Sequence, residues 1–186
     1  MRTHVVGGVG VPVSLRHAIL GLLSVEPMTG YDLKHQCFDG SIGHFWPADQ
    51  SQIYRTLEAL VLAGWAVPEP QPGDQGPARK VYHITPLGEQ ELDRWLRTPP
   101  AVPAARDASL IQVFFSDRLP NDAVRAKLEA IRDAYAQRLA VYEAIPLPPL
   151  EADVPTAVRR QRMTLELGLA HARAGVAWAE QCLRFV

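Results

Sequence analysis

Apolar residues take up a helical rhythm from Leu15 onward. Leu15, Ala18, Ile19, Leu22 and Leu23 stand at i, i+3, i+4, i+7 and i+8, which is one face of a 3.6-residue period. Ser14 precedes them as an N-cap. After Pro27, Thr29 caps a short second helix through Gly30, Tyr31, Asp32, Leu33, Lys34 and His35, which runs out near Phe38, Gly40 and Gly43. A third helix begins near Pro47, Ala48 and Asp49, with Pro in the first turn and Asp at the positive end of the dipole. Its apolar side is Ile53, Leu57, Leu60 and Val61, its outer side is Ser51, Gln52, Arg55 and Glu58, and Gly64 is its C-cap.

Beyond Gly64 the period shortens. Residues 65–69 and 80–85 hold Trp65, Val67, Val81, Tyr82 and Ile84, and a Pro/Gly-rich stretch at 72–77 separates them. Strand-favouring residues around turn chemistry predict a β-hairpin with a long tip. Thr85 and Pro86, an N-cap and a Pro at N1, open a fourth helix carrying Leu87, Leu92, Trp95 and Leu96 up to the stop at Pro99 and Pro100.

The second half has another texture. From residues 120–122 a helix carries Val124, Leu128, Ile131, Tyr135, Leu139 and Tyr142, a spacing close to a heptad seam that needs a partner. Prolines at 146–149 end it. Residues 155–185 then read as a helix of about 45 Å with two apolar rows, one of Val158, Leu165, Leu169, Ala172, Val176 and Leu183, the other of Leu167, Ala174, Trp178, Cys182 and Phe185. A helix apolar on two sides is buried on two sides. A second chain is the expected partner, through Leu128, Ile131, Tyr135, Leu165, Leu169, Val176, Trp178 and Leu183; the alternative is that both rows fill one monomeric bundle.

The expected fold class is therefore mainly α, a winged helix-turn-helix of three helices plus a β-hairpin wing, followed by an α-helical dimerisation domain. The expected boundaries are a flexible tail at 1–13, the winged helix at 14–98, a Pro-rich linker at 99–106 and the dimerisation domain at 107–186.

Composition agrees with this and excludes other classes. The chain has 186 residues, 47% hydrophobic and 21% charged, close to an average globular protein and unlike a disordered or fibrous one. Its early apolar stretch at residues 5–13 is far short of the roughly 18 residues that span a bilayer, and no signal-peptide pattern is seen, so a cytoplasmic protein without membrane contact is expected. Two distant cysteines, Cys37 and Cys182, make no disulfide scaffold. No Gly-rich phosphate loop, HExxH or GxSxG is present, so no enzyme and no cofactor are expected. His35, Cys37 and His44 lack metal-ligand spacing, and surface or core roles suit them better than a metal site.

A winged helix offers its third helix to the major groove, where Gln can bond adenine bidentately and Arg can bond guanine or phosphate. Ser51, Gln52 and Arg55 suit that use, Tyr54 can reach a phosphate, and Arg79 with Lys80 forms an adjacent basic pair at the wing. Blander readings stand beside these: an Arg55–Glu58 surface pair, core burial of Tyr54 and Tyr82, and an ordinary charged wing. Residues 14–97 carry seven basic and ten acidic side chains, a net of −3, whereas DNA-binding modules are usually basic.

Four ordered blocks carry a resemblance: Leu15 to Leu23, Met28-Thr29-Gly30-Tyr31-Asp32-Leu33, Ser51 to Leu57 with Leu60 and Gly64, and Arg79 to Gly88. Together they resemble the PadR family of bacterial transcriptional regulators, and the second half resembles the helical dimerisation domain of that family's longer branch. The resemblance implies a homodimeric regulator, usually a repressor, on a dyad-symmetric DNA operator, with Tyr31, Ser51, Gln52, Tyr54, Arg55, Arg79 and Lys80 at DNA-facing positions. Val81, His83 and the acidic Asp74 depart from the family's wing. The runner-up is a winged-helix dimer used for protein contact. A small-molecule effector of unknown identity is a further candidate partner, for which Trp178 could line a pocket at the interface, although a core aromatic suits Trp178 better.

Overall fold

The computed structural model describes residues 13–71, 79–100 and 107–186. The expected tail apart from Val13, which is helical, the wing tip with Asp74 and most of the expected linker lie outside these. The chain divides into two compact units, Met1–Val102 and Pro103–Val186.

In the first unit, α1 (Val13–Leu23) begins one residue before Ser14, which places Ser14 in its first turn. Leu15, Ile19, Leu20 and Leu23 are buried on one side. The link to the second helix is a short strand that the sequence reading lacks, β1 (Met28–Thr29). Thr29 then caps α2 (Gly30–Asp32) through a capping box: the Asp32 N–H donates to Thr29 Oγ1 at 3.1 Å and the Thr29 N–H to Asp32 Oδ2 at 3.2 Å. The helix continues, wound as a π-helix over Leu33–Ser41 and broken at Gly40, into a 3₁₀ turn at Ile42–His44. Leu33, Cys37 and Phe38 bury inward from this stretch.

The third helix, α3 (Gln50–Leu62), buries Ile53, Thr56, Leu57 and Leu60. It ends in a Schellman motif, with Gly64 N–H to Val61 O at 3.0 Å and Trp65 N–H to Leu60 O at 2.9 Å. Gly64 has φ 73°, a left-handed conformation that suits glycine.

The wing is three-stranded, not two-stranded. β2 (Ala66–Gln71) and β3 (Arg79–Ile84) pair antiparallel, and β1 adds to the far side of β3, with Met28 opposite Tyr82 and Thr29 opposite Val81. The outer strand, β2, carries Pro68 and Pro70, residues that lack an N–H and so discourage pairing with another sheet edge.

Thr85 caps α4 (Pro86–Leu96), with Pro86 in the first turn as expected. Of its four expected apolar contacts, Leu92 is buried and Trp95 half-buried, while Leu87 and Leu96 are exposed. Leu87 lies five residues before Leu92, about 140° around the helix, and so faces away from α1.

Between α1 and α4 lies a contact that spacing did not reveal. His17 is buried, stacks on Trp95 at 4.6 Å, and donates Nε2–H to Glu91 Oε1 at 3.0 Å. Arg94 donates to both Glu91 oxygens, and these bonds, with that from His17, hold the Glu91 carboxyl at about 2 against an ordinary 4.5. A depressed carboxyl contributes stability above its unfolded pKa and loses it as pH falls toward the folded value. Wild type should therefore lose stability relative to Glu91→Gln between pH 4.5 and about 2, as followed by chemical unfolding at stepped pH. Parallel profiles would mean that Glu91 titrates as in the unfolded chain.

The second unit opens with a helix the sequence reading did not place, α5 (Ala108–Phe114), capped by Asp107, whose Oδ1 accepts from Ser109 N–H at 2.8 Å. Then come α6 (Asn121–Glu143) and α7 (Thr156–Cys182), which ends in a 3₁₀ turn at Leu183–Phe185. The partner of the α6 seam is α7 of the same chain. Glycines set its closeness: a Cβ on Gly175 would stand 2.5 Å from the Tyr135 ring, and one on Gly168 2.9 Å from the Tyr142 ring. Both pairs are spaced seven residues along each helix and run in opposite senses, an antiparallel heptad register. Leu128, Leu165 and Leu169 are buried within the single chain. They hold α6 to α7 and do not present a surface to a second chain, which corrects that part of the dimer reading.

Gly175→Ala should cost stability. Ala gains about 1 kcal/mol in helix propensity, but the near atoms of the Tyr135 ring cannot swing aside, and overpacking costs about 1–3 kcal/mol. A net loss of about 1 kcal/mol or more is expected in thermal unfolding followed by far-ultraviolet circular dichroism. A more stable variant would show that the helices separate without strain.

Candidate nucleic-acid interface

The first turn of α3 is built by its own cap. Asp49 Oδ1 accepts from the Gln52 N–H at 2.8 Å, and Gln52 Oε1 accepts from the Asp49 N–H at 2.9 Å, a second capping box. Asp49 is thus the cap itself and not a first-turn residue. Ser51 adds Oγ–H to Asp49 Oδ1 at 2.7 Å. These bonds, that of Ser51 first, hold the Asp49 carboxyl below its usual range. The carboxylate stays charged at the helix's positive end, where it is favoured.

Ser51, Tyr54, Arg55 and Glu58 face outward. Arg55 does not pair with Glu58. It turns back one helical turn, Nε–H to Ser51 O at 3.2 Å and an amino group to Ser51 Oγ at 3.4 Å. Its charge is therefore weakly engaged and open to an anion. Gln52 is half-buried with its carbonyl committed to the cap.

Tyr54 joins α3 to α2. Its ring lies across Gly30, where a Cβ would stand 2.6 Å from Cε1, so the glycine of the Gly30-Tyr31 block is required by contact. Tyr54 as a whole remains 38% exposed. Tyr31 is exposed and packs against His35 with ring centroids 4.2 Å apart. Asp39 accepts from Lys34 and lies 3.0 Å from His35 Nδ1; the Lys34 bond chiefly keeps its carboxyl low. Lys34 is thereby neutralised within the unit.

On the wing, Arg79 and Lys80 are exposed at the start of β3, opposite Gln71 and Pro70. Tyr82 points inward, as the bland reading had it, and burial pushes its phenol up. Val81 is buried, and His83 Nε2 lies 3.0 Å from Glu69 Oε2 of the neighbouring strand. The structure thus leaves Tyr31, Ser51, Tyr54, Arg55, Arg79 and Lys80 exposed, and draws Gln52 halfway in.

Cys37 is a core thiol. It packs 3.9 Å from Met28 Sδ, and burial raises its pKa, the reverse of what a reactive thiol needs. Among the described residues no group of three or more His, Cys, Asp or Glu could hold a metal ion, and no helix is long and apolar enough to cross a membrane.

Comparison with known proteins gives this geometry its context. Residues 19–94 match the model of the PadR-like family of transcriptional regulators, and residues 105–186 match the virulence activator alpha C-terminal model. A probable transcriptional regulator of Mycobacterium tuberculosis is 40% identical over 87 residues, which is 47% of this chain and 46% of that relative. The negative transcriptional regulator PadR of Bacillus subtilis is 27% identical over 184 residues, covering 92% of this chain and 97% of its own. Its structure in complex with operator DNA superposes with a TM-score of 0.82 at 25% identity over 92% of this chain and 98% of that one, and it has also been solved with p-coumaric acid. The virulence activator AphA of Vibrio cholerae superposes with a TM-score of 0.72 at 29% identity over 91% and 96% of the two chains. The chain therefore carries a domain of the PadR-like family of transcriptional regulators at residues 19–94 and a C-terminal domain of the virulence-activator type at residues 105–186.

Proposed function

We propose that two copies of this chain bind a dyad-symmetric DNA operator and repress transcription. Residues 14–98 of each copy contact DNA and residues 107–186 join the copies. The observation that carries the reading is the exposed face of the first two turns of α3, where Ser51 and Arg55 stand outward on a fold that superposes on B. subtilis PadR in complex with operator DNA. Tyr31 and Tyr54, both exposed, offer hydroxyls to phosphate oxygens in this reading, and Arg79 with Lys80 supplies the wing's positive charge.

Pairing of the copies has support of its own. Leu110, Ile111, Phe114 and Phe115 are all exposed around α5, and Met163 and Leu167 are exposed on α7. So much apolar surface on one small unit marks an interaction site. Ile131, Tyr135, Val176, Trp178 and Leu183 are half-buried within one chain and keep area for a partner. A two-fold pair sets two α3 helices about 34 Å or a multiple apart on one DNA face. A small-molecule effector binding the C-terminal unit would act by shifting that spacing.

The test is a fluorescence-anisotropy titration of the purified protein against the DNA upstream of its own gene and a scrambled control. Tighter binding to the upstream duplex with two chains per site is the expected result. Arg55→Ala should weaken that binding by about 1–3 kcal/mol with the dimer intact by light scattering. Unchanged affinity would remove Arg55 from the interface. The second reading, a dimer for protein contact, is favoured by the net −3 over residues 14–97. It predicts equal, weak binding to both duplexes.

A further inference from the structure

The capping box fixes which base edge the third helix can read. Gln is the side chain that recognises adenine by two bonds at once, its amide N–H to N7 and its carbonyl accepting from the N6 amino group. In this chain the carbonyl oxygen is held by the cap, so although it keeps a second lone pair the amide is not free to lay both of its ends along one adenine edge. Gln52 Oε1 accepts from the Asp49 N–H at 2.9 Å, and because a backbone N–H can only donate, the oxygen and not the nitrogen of the amide must face it. The bond closes the cap that starts α3, together with the Gln52 N–H to Asp49 Oδ1 at 2.8 Å. Releasing the oxygen to meet a base would leave the Asp49 N–H unpaired and open the first turn. Gln52 Nε2 makes no hydrogen bond among the described residues.

We infer that Gln52 is a specificity-determining residue that meets DNA as a donor only, through Nε2, and so selects guanine over adenine at the base pair it faces. Guanine presents two adjacent acceptors in the major groove, N7 and O6, whereas adenine pairs its single acceptor with an amino group that a donor-only amide cannot satisfy. Arg55, one turn further on and held only by Ser51, offers donors of the same polarity. The inference rests on the operator-binding reading above.

The test replaces Nε2 with an acceptor while keeping the cap. Gln52→Glu retains an oxygen for the Asp49 N–H, as in the Ser/Thr-x-x-Glu box, and turns the outward atom into an acceptor, which suits the N4 amino group of cytosine. The full-length wild type, Gln52→Glu and Gln52→Ala are each used to select from a random 30-base-pair duplex library, and the enriched sites are sequenced. Should Gln52→Glu lose its fold by circular dichroism, Asp49→Ser with Gln52→Glu supplies the uncrowded Ser-x-x-Glu box. The expected result is a dyad motif with guanine at one position per half-site. That preference should fall about tenfold in Gln52→Ala and move to cytosine in the Glu variant. Adenine at the position that Gln52→Ala relaxes, or a wild-type motif that neither variant alters, would overturn the inference and leave operator binding standing. Failure of the wild type to enrich any motif would overturn both.

Discussion

Gly88→Ala is expected to destabilise the N-terminal unit by about 2 kcal/mol or more, a large effect for one methyl group. The added Cβ would lie 2.2 Å from the Trp65 carbonyl oxygen, 2.8 Å from Ile84 Cγ1 and 3.0 Å from the Trp65 carbonyl carbon. Two of these three atoms are backbone, so no side-chain rotation relieves the contact. The same carbonyl accepts from the Thr85 N–H at 3.0 Å, and the Thr85 hydroxyl donates to Gly64 O at 2.7 Å. Moving Trp65 away would break the joint that seats α4 on the end of α3. The gain of about 1 kcal/mol from replacing Gly with Ala in a helix runs the other way and is smaller than an overpacking cost of this kind. Urea unfolding followed by tryptophan fluorescence gives the readout, since Trp46, Trp65 and Trp95 all lie in this unit. A midpoint within 1 kcal/mol of wild type would show that the α3–β2 corner yields, and that Gly88 is not there for contact.

The same corner shows what the sequence could and could not reveal. Thr85, Pro86 and Gly64 were legible because caps and glycine stops act locally, through bonds within a few residues. The reason for Gly88 was not, since it depends on the carbonyl of Trp65, far off in sequence. Strand β1 was invisible for a related reason: two residues carry no period, and Met28-Thr29 becomes a strand only because β3 lies beside it. The π-wound stretch after α2 was hidden too, because a Thr cap and glycine stops mark where a helix begins and ends without saying how tightly it is wound. In the C-terminal unit the heptad spacing of α6 was plain. A spacing says that a helix needs a partner without saying whose, and the small residues opposite Tyr135 and Tyr142 decide for the chain's own α7.

The candidate interface was legible as a set of residues and less so as a set of atoms. Ser51, Tyr54 and Arg55 stand outward as the helical period required. Gln52 shares their side of the helix yet serves the cap as well, because position N3 is where a Gln reaches back to the N-cap. Its type and place pointed to adenine, and only the partner of its oxygen shows which half of the amide remains for DNA.

Affinity for the operator is expected to fall by about 10² to 10³ between 50 and 200 mM salt, the largest effect foreseen for this protein. The proposed interface offers Arg55, Arg79 and Lys80 from each copy. At about 0.9 counterions released per phosphate neutralised, all six cations on phosphates give a logarithmic slope of about −5, and about 10³ over a fourfold rise in salt. With Arg55 on bases, the four wing cations give a slope of about −4 and about 10². The acidic balance of residues 14–97 does not soften this result. Repulsion from the acidic side chains lowers the affinity at every salt concentration, while the slope follows the phosphates met. Replacing both Arg79 and Lys80 with Ala should flatten the line to a slope of about −2, with Arg55 alone contributing. Anisotropy titrations at four salt concentrations for wild type and the double variant separate the cases. A flat line for the wild type would sink the DNA reading in favour of protein contact, since a largely apolar interface has few counterions to release. A steep line that the wing variant leaves unchanged would place the phosphates on α2 and α3, and would make the wing a bystander.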